Sequence, residues 1–254
     1  MDSAIKRTGA ALACAERILV ITGAGVSADS GMPTYRGLGG LYNGRTEEGL
    51  PIEAALSGPM LRDNPALCWK YLAELGKACI NARPNAGHEA IAELQRLKPE
   101  CWVLTQNIDG FHRRAGSPVE RLIEIHGELA PLYCQSCGQE SAELAEHLQR
   151  PLPPRCERCA GVLRPSVVLF EEMLPEAAID TLYAQLRKGF DVVLLVGTTA
   201  SFPYIIEPVM RTRAAGGFTA EVNPGLTDLS SVVEERMQGR ALDIMPRLLS
   251  HIPR

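Results

Sequence analysis

Ile18-Leu-Val-Ile-Thr-Gly-Ala-Gly-Val-Ser-Ala28 decides the fold. Its first four residues form a continuous apolar run, as a strand buried on both faces requires. The run empties into glycines spaced G-x-G-x-x-A over Gly23, Gly25 and Ala28, and the sequence stays glycine-rich to Gly44. Between a strand and a helix, such glycines let the backbone approach a pyrophosphate, with N–H groups of a helix start donating to it. A tight turn without a ligand is the competing reading. A dehydrogenase would also show a second strand ending in Asp or Glu about 20 residues on. Glu47 and Glu48 fall in that interval, but no β-branched run precedes them. Hydride transfer is therefore disfavoured, while a dinucleotide site stands.

Outward from this turn the pattern alternates. Helical periodicity covers residues 3–15, 64–77, 87–97, 175–188 and 203–215. Short apolar runs at Cys101-Trp-Val-Leu-Thr105, Leu122-Ile-Glu-Ile125, Val167-Val-Leu-Phe170, Val192-Val-Leu-Leu-Val196 and Phe218-Thr-Ala-Glu-Val222 read as strands. Strand–helix alternation predicts an α/β fold, a doubly wound parallel sheet of Rossmann type.

The 254 residues are 46% hydrophobic and 22% charged, the mix of an ordinary globular protein rather than a disordered one. A net charge of -4 with no long run of either sign argues against holding nucleic acid. No apolar stretch is long enough to span a membrane, and the N-terminus lacks the apolar core of a signal peptide. A cytoplasmic protein is the expectation, and its eight cysteines are then expected as thiols. Cys14, Cys68, Cys79 and Cys101 are scattered in apolar surroundings and read as small core residues. Cys134, Cys137, Cys156 and Cys159 form C-x₂-C-x₁₈-C-x₂-C, the spacing of a zinc ribbon. Four thiolates around one tetrahedral zinc leave no open position, so the metal is expected to be structural. Four free core thiols are the alternative. The core then takes residues 1–130 and 164–254, with 131–163 as an inserted zinc-binding module.

Gln106, Asn107 and Asp109 leave a strand end, where open α/β sheets place ligands. Their amides and carboxylate can hold a carboxamide and a ribose, or Asp109 can cap the next helix. Of five histidines, only His126 follows a strand directly and precedes a glycine. His88 reads as part of a helix start; His112, His147 and His251 fall in polar stretches expected to be exposed.

Gly23-Ala-Gly-Val-Ser-Ala-Asp-Ser-Gly-Met-Pro-Thr-Tyr-Arg36 resembles the sirtuin signature G-A-G-x-S-x-x-S-G-I-P-x-F-R. The resemblance continues through Thr105-Gln-Asn-Ile-Asp109, His126-Gly127, the four cysteines, Arg164-Pro-Ser-Val-Val-Leu-Phe170, Gly197-Thr-Thr199, Asn223 and Gly239-Arg-Ala241, in family order. It implies an NAD-dependent protein lysine deacylase acting on acylated-lysine proteins or peptides, with NAD as co-substrate and one zinc ion. The acyl group would pass to ADP-ribose as nicotinamide leaves.

By the same resemblance, His126 is the general base and Asn107 positions a ribose and the attacking hydroxyl. NAD contacts are implied at Gly23, Ala24, Gly25, Ser27, Tyr35, Arg36, Gln106, Asn107, Ile108, Asp109, Gly197, Thr198, Thr199, Asn223 and Ala241. Peptide contacts are implied at Val167, Val168, Phe170 and Glu171. Three departures stand out: Tyr35 for Phe, on a ring expected to cover the reacting ribose carbon, and, at the peptide cleft, Glu171 for Gly and Thr199-Ala-Ser-Phe-Pro203 for S-L-x-V-x-P. They leave room for a mono-ADP-ribosyltransferase or a non-catalytic NAD-binding module. Sirtuins that remove succinyl groups carry a Tyr-x-x-Arg pair after an Asn-Pro, and the matching positions here are Leu72 and Leu75. Neutral acyl groups are therefore expected over acidic ones.

Overall fold

The computed structural model describes residues 1–33, 45–141 and 144–253. Tyr35, Arg36 and residues 37–40 lie outside the described residues. Strand β1 (Arg17–Thr22) sits centrally, with every residue after Arg17 buried. It is followed by β2 (Glu100–Thr105), β3 (Leu122–Glu124), β4 (Gly127–Cys134), β5 (Glu140–Ser141), β6 (Leu163–Val167), β7 (Val192–Val196), β8 (Phe218–Val222) and β9 (Glu235–Met237). Six of these make one parallel sheet in the order β3-β2-β1-β7-β8-β9. The order reverses between β1 and β7, the doubly wound arrangement the sequence predicts, and that switch point is where such sheets bind ligands.

Register sets the site. Thr22 lies level with Thr105 and Val196, Thr105 with Glu124, and Val196 with Val222. The residues just beyond each strand, Gly23, Gln106, Ile125-His126, Gly197 and Asn223, therefore leave the sheet along one rim.

Helices cover both faces. On one side pack α1 (Asp2–Cys14), α5 (Ala86–Leu97) and α10 (Ala241–Leu249), which bury Ile5, Leu12, Ile91, Leu94 and Ile244 against the sheet. Asn85 starts α5 by accepting from Gly87 N, while Asn85 N donates to His88 Nδ1, a reciprocal cap. On the other side α8 (Glu176–Lys188) and α9 (Pro203–Ala214) bury Leu182, Leu186, Ile205 and Val209.

A second apolar core lies apart from both faces. It joins α2 (Ile52–Ala55), α3 (Gly58–Asp63) and α4 (Pro65–Asn81) to the three-stranded antiparallel sheet β5-β4-β6 and to α7 (Leu144–His147). Trp69 of α4 is buried and donates from Nε1 to the Leu163 carbonyl at 2.8 Å. This small lobe is thus built from two distant stretches of chain, the first of which the sequence pattern assigns to the core. The remaining short helix, α6 (Phe111–Arg114), follows β2.

Several local expectations need correction. The strand expected at 167–170 is β6, four residues earlier; Pro165 is accommodated because β6 is an edge strand. Cys14, expected in the core, is exposed on the last turn of α1, whereas Cys68, Cys79 and Cys101 are buried. His112 and His147 are buried rather than exposed. Both sit in helices of a single turn, too short for periodicity to reveal a buried face.

Candidate active site at the switch point

The glycines at the rim are required by the protein's own backbone. A Cβ on Gly25 would sit 2.8 Å from Gly197 Cα, and one on Gly197 (φ 61°) would sit 2.4 Å from Val26 N. Gly25 N donates to Gly197 O at 2.8 Å. The turns after β1 and β7 can only touch without side chains between them.

Behind this turn lies a polar network. Asn107 Nδ2 donates to Gly23 O and to Ser27 Oγ, each at 3.1 Å. Ser27 Oγ donates to Asp109 Oδ2 at 2.7 Å, while Asp109 Oδ1 accepts from Phe111 N at the start of α6. Asp109 therefore joins the start of α6, from one residue before its N-cap Gly110, to the Ser27 network. Burial pushes its carboxyl up, opposed by those two hydrogen bonds.

His88 completes the network. Its Nδ1 accepts from Asn85 N, so Nε2 carries the hydrogen and donates to Ser27 Oγ at 3.2 Å. The neighbouring His112 meets Thr22 Oγ1 at 2.9 Å through Nε2, while its buried Nδ1 has no partner among the described residues. Burial lowers His88 to about 4 and His112 to about 3, so both rings are neutral at pH 7. Neither ring's place was legible as functional; His88 could have been singled out by the Asn-x-x-His cap, which aims its far nitrogen back at the rim.

Further along, Gln106 Nε2 donates to Thr198 Oγ1 at 2.7 Å and Asn223 Nδ2 to Thr198 O at 2.9 Å. Ala24 lies in the 3₁₀ turn after β1, Thr199 O accepts from Asp228 N, and Ala241 begins α10 against Gly87. Apart from Tyr35 and Arg36, the expected NAD contacts thus come together along one rim.

His126 stands where the chain leaves this sheet for the small lobe. Its Nδ1 lies 2.9 Å from the Gln106 carbonyl, which can only accept, so Nδ1 carries the hydrogen and Nε2 the lone pair. Burial lowers its pKa, partly offset by that hydrogen bond. Gly127 follows at φ 72°, and a Cβ there would lie 1.9 Å from Ser166 O. Only glycine can occupy that position, which gives the His-Gly pair its physical reason. His126 O in turn accepts from Val168 N at 2.9 Å.

Beside His126 is a cavity of about 30 Å³ walled by Leu56, Leu72, Leu75, Ile108 and residues 167–170. Its lining among the described residues carries no cation. Lys70 is held by Glu47 and Glu48, and Arg45 donates to Gly49 O. Phe170 N and O pair with Leu56 O and Gly58 N, tying residues 167–170 to the other small-lobe segment. Glu171 is exposed and left-handed at φ 65°, a conformation suited to glycine, and Glu172 holds the turn through Arg164 and Leu169 N.

In the small lobe the Sγ atoms of Cys134, Cys137, Cys156 and Cys159 lie within 4.8 Å of one another. Tetrahedral ligands at the zinc–sulfur distance of about 2.3 Å stand roughly 3.8 Å apart. The pairs Cys134–Cys159 at 3.5 Å and Cys137–Cys156 at 3.7 Å fit that spacing. The four cysteines are positioned to bind one zinc ion.

Residues 23–202 match the Sir2 family. A protein of Pseudomonas aeruginosa described as NAD-dependent protein deacylase 2 is 81% identical over 99% of this chain and 98% of its own length. The chain belongs to the Sir2 family. Among solved structures, a Sir2 homolog–NAD complex is 33% identical with a TM-score of 0.84, covering 97% of this chain and 93% of its own. Sir2Af2 bound to a myristoylated histone peptide is 28% identical with a TM-score of 0.80, over 99% and 97%. Both likenesses extend over nearly the whole chain, and so over the doubly wound sheet and the lobe carrying the cysteines.

Proposed function

We propose that this chain is an NAD-dependent protein lysine deacylase, moving an acyl group from acyl-lysine to ADP-ribose. The observation that carries the reading is His126: neutral, with its hydrogen fixed on Nδ1, at the rim beside an apolar cavity. NAD, when bound, supplies an electrophilic ribose carbon with nicotinamide as its leaving group. The amides and hydroxyls at the rim suit its ribose and carboxamide. Gly23 N and Gly25 N are already paired with Val196 O and Gly197 O, so other groups of the glycine turn would meet the phosphates. Gly23, Ala24, Gly25, Ser27, Gly197, Thr198, Thr199, Asn223 and Ala241 would line the phosphate and adenosine side, joined by Tyr35 and Arg36. Gln106, Asn107, Ile108 and Asp109 would hold the nicotinamide side.

His126 Nε2 would take the proton of a ribose hydroxyl, which then receives the acyl group. Val167, Val168, Phe170 and Glu171 would border the peptide, and the Leu72–Leu75 wall would face the acyl chain. Zinc would be structural, stapling residues 131–163 as a module within the small lobe. Cysteines kept as metal-binding thiolates suit the reducing cytoplasm. High homology to named deacylases supports the enzyme reading over a binding module. Mass spectrometry of an acetyl-lysine peptide incubated with NAD tests it. Loss of acetyl with formation of O-acetyl-ADP-ribose is expected; gain of ADP-ribose would replace the reading with ADP-ribosyl transfer, and no change with binding alone.

A further inference from the structure

The nitrogen that would take the proton already has a partner. Tyr204, in the first turn of α9, places its hydroxyl 2.8 Å from His126 Nε2. Since Nδ1 holds the ring hydrogen, the tyrosine O–H is the donor and the Nε2 lone pair the acceptor. Tyr204 is itself held in place. The Phe202 ring lies nearly parallel to it, at 8° with centroids 5.3 Å apart, and His126 meets both rings at close to right angles. Pro203 opens α9 and fixes the backbone between the two aromatics. Phe202 and Pro203 stand in the segment where the chain departs from S-L-x-V-x-P, and Tyr204 directly follows it.

We propose that Tyr204 is a positioning residue for His126. The Gln106 carbonyl fixes the tautomer; the Tyr204 hydroxyl holds Nε2 and orients the imidazole in the resting protein, then gives up Nε2 to the incoming substrate hydroxyl. The proposal rests on His126 being the base of the deacylase reading. One lone pair accepts one strong hydrogen bond, so tyrosine and substrate compete for it. Exchange of one O–H donor for another is close to neutral, and the ring is already aimed when the exchange occurs. The proton lost by the substrate hydroxyl then goes to Nε2, leaving Tyr204 neutral throughout.

Tyr204→Phe keeps the ring and its stacking and removes only the hydroxyl. Acyl transfer should slow about three- to tenfold, because an imidazole held only through Nδ1 is less often aimed at the incoming hydroxyl. Exchange of labelled nicotinamide, which does not call on the base, and KM for NAD should stay within about twofold of wild type. In the ligand-free protein, the ¹⁵N resonance of His126 Nε2 should move toward that of an unbonded imidazole nitrogen while Nδ1 stays protonated. An unmoved Nε2 resonance would overturn the hydrogen bond. Equal loss of exchange and acyl transfer, or no loss of either, would overturn the positioning role. Failure of the wild-type chain to consume NAD with an acyl peptide would instead defeat the deacylase reading, and the resonance measurement would still decide the Tyr204–His126 bond.

Discussion

The rim of the large sheet and the small lobe beside it are held by different forces. At the rim, Asn107, Ser27, Asp109 and His88 fix one another through hydrogen bonds, and the glycines interlock backbone to backbone. The small lobe has a core of Leu56, Trp69, Leu72 and Leu132 together with a four-thiol cluster, and it presents Phe170 and Glu171 to solvent. The contrast teaches that one half of the site is preorganised by its own polar network. The other half rests on apolar packing and on four thiols positioned to bind one metal ion.

The strongest way to break the comparison is through the metal. Structural zinc contributes roughly 10–16 kcal/mol of apparent binding energy in small peptides. Cys137→Ala should therefore unfold the small lobe and abolish acyl transfer, read by zinc content and by melting. Metal-free protein with unchanged melting and full activity would show that the lobe stands on its apolar core alone. At the junction of the two regions, His126→Ala should lower acyl transfer by about 10²–10⁴-fold with NAD affinity nearly unchanged. Isothermal titration with NAD checks this; an equal loss of affinity would assign His126 to binding.

The cavity wall sharpens the small-lobe side. A succinyl tail would bring a carboxylate against Leu72 and Leu75, where burying it unpaired costs several kcal/mol. About 3 kcal/mol corresponds to roughly a hundredfold, so kcat/KM for succinyl-lysine should fall at least about that far below acetyl-lysine. Parity would mean that a cation from residues 34–44 or from the substrate supplies the partner.

The rim answers to acid. His88 and His112 titrate at about 4 and about 3 in the folded chain, both below the ordinary histidine value near 6.5. Unfolded chains therefore bind more protons as pH falls below about 6.5, and stability drops by up to about 1.4 kcal/mol per pH unit for each histidine. Stability should be level above that pH and decline toward 4. His112→Asn should flatten the slope in urea titrations between pH 6.5 and 4.5, and a slope unchanged by the substitution would remove His112 from the account.

The smallest effect concerns Glu171. Releasing its left-handed backbone by Glu171→Gly should raise stability by up to about 1 kcal/mol, after the greater chain entropy of glycine in the unfolded state is set against it. The same change should weaken any preference for Lys or Arg near the acyl-lysine, measured on a peptide panel at low salt. A less stable variant would show that the side chain earns its place by contacts at this turn.

Legibility in the sequence divides along the same line. Parallel strands buried on both faces leave unbroken apolar runs, so five of the six sheet strands are readable; β9, three residues long and carrying Glu235 and Arg236, is not. Rim residues are narrowed by following such runs directly, but their functional reading comes from the resemblance to sirtuins, since Gln106, Asn107 and Asp109 also make structural hydrogen bonds. The small lobe is harder. Its core is assembled from α2–α4 and the cysteine-bearing sheet, stretches separated by the whole of α5, β2 and β3. Nothing in local periodicity records which distant segment a helix face will meet. Tyr204 is hidden for the same reason, since its partner nitrogen lies 78 positions away.

The joint between the two regions carries a consequence for how the protein fails. The chain crosses from large sheet to small lobe at His126-Gly127, and the return crossing is tied to it by Val168 N donating to His126 O. Gaping between the lobes would pull on this tie in the backbone of His126, and on its neighbours at the same joint, Leu129 N to Ile108 O and Arg113 to Glu128. Warming should thus inactivate the protein before its sheet melts, with activity acting as the fuse and the sheet as the wiring it protects.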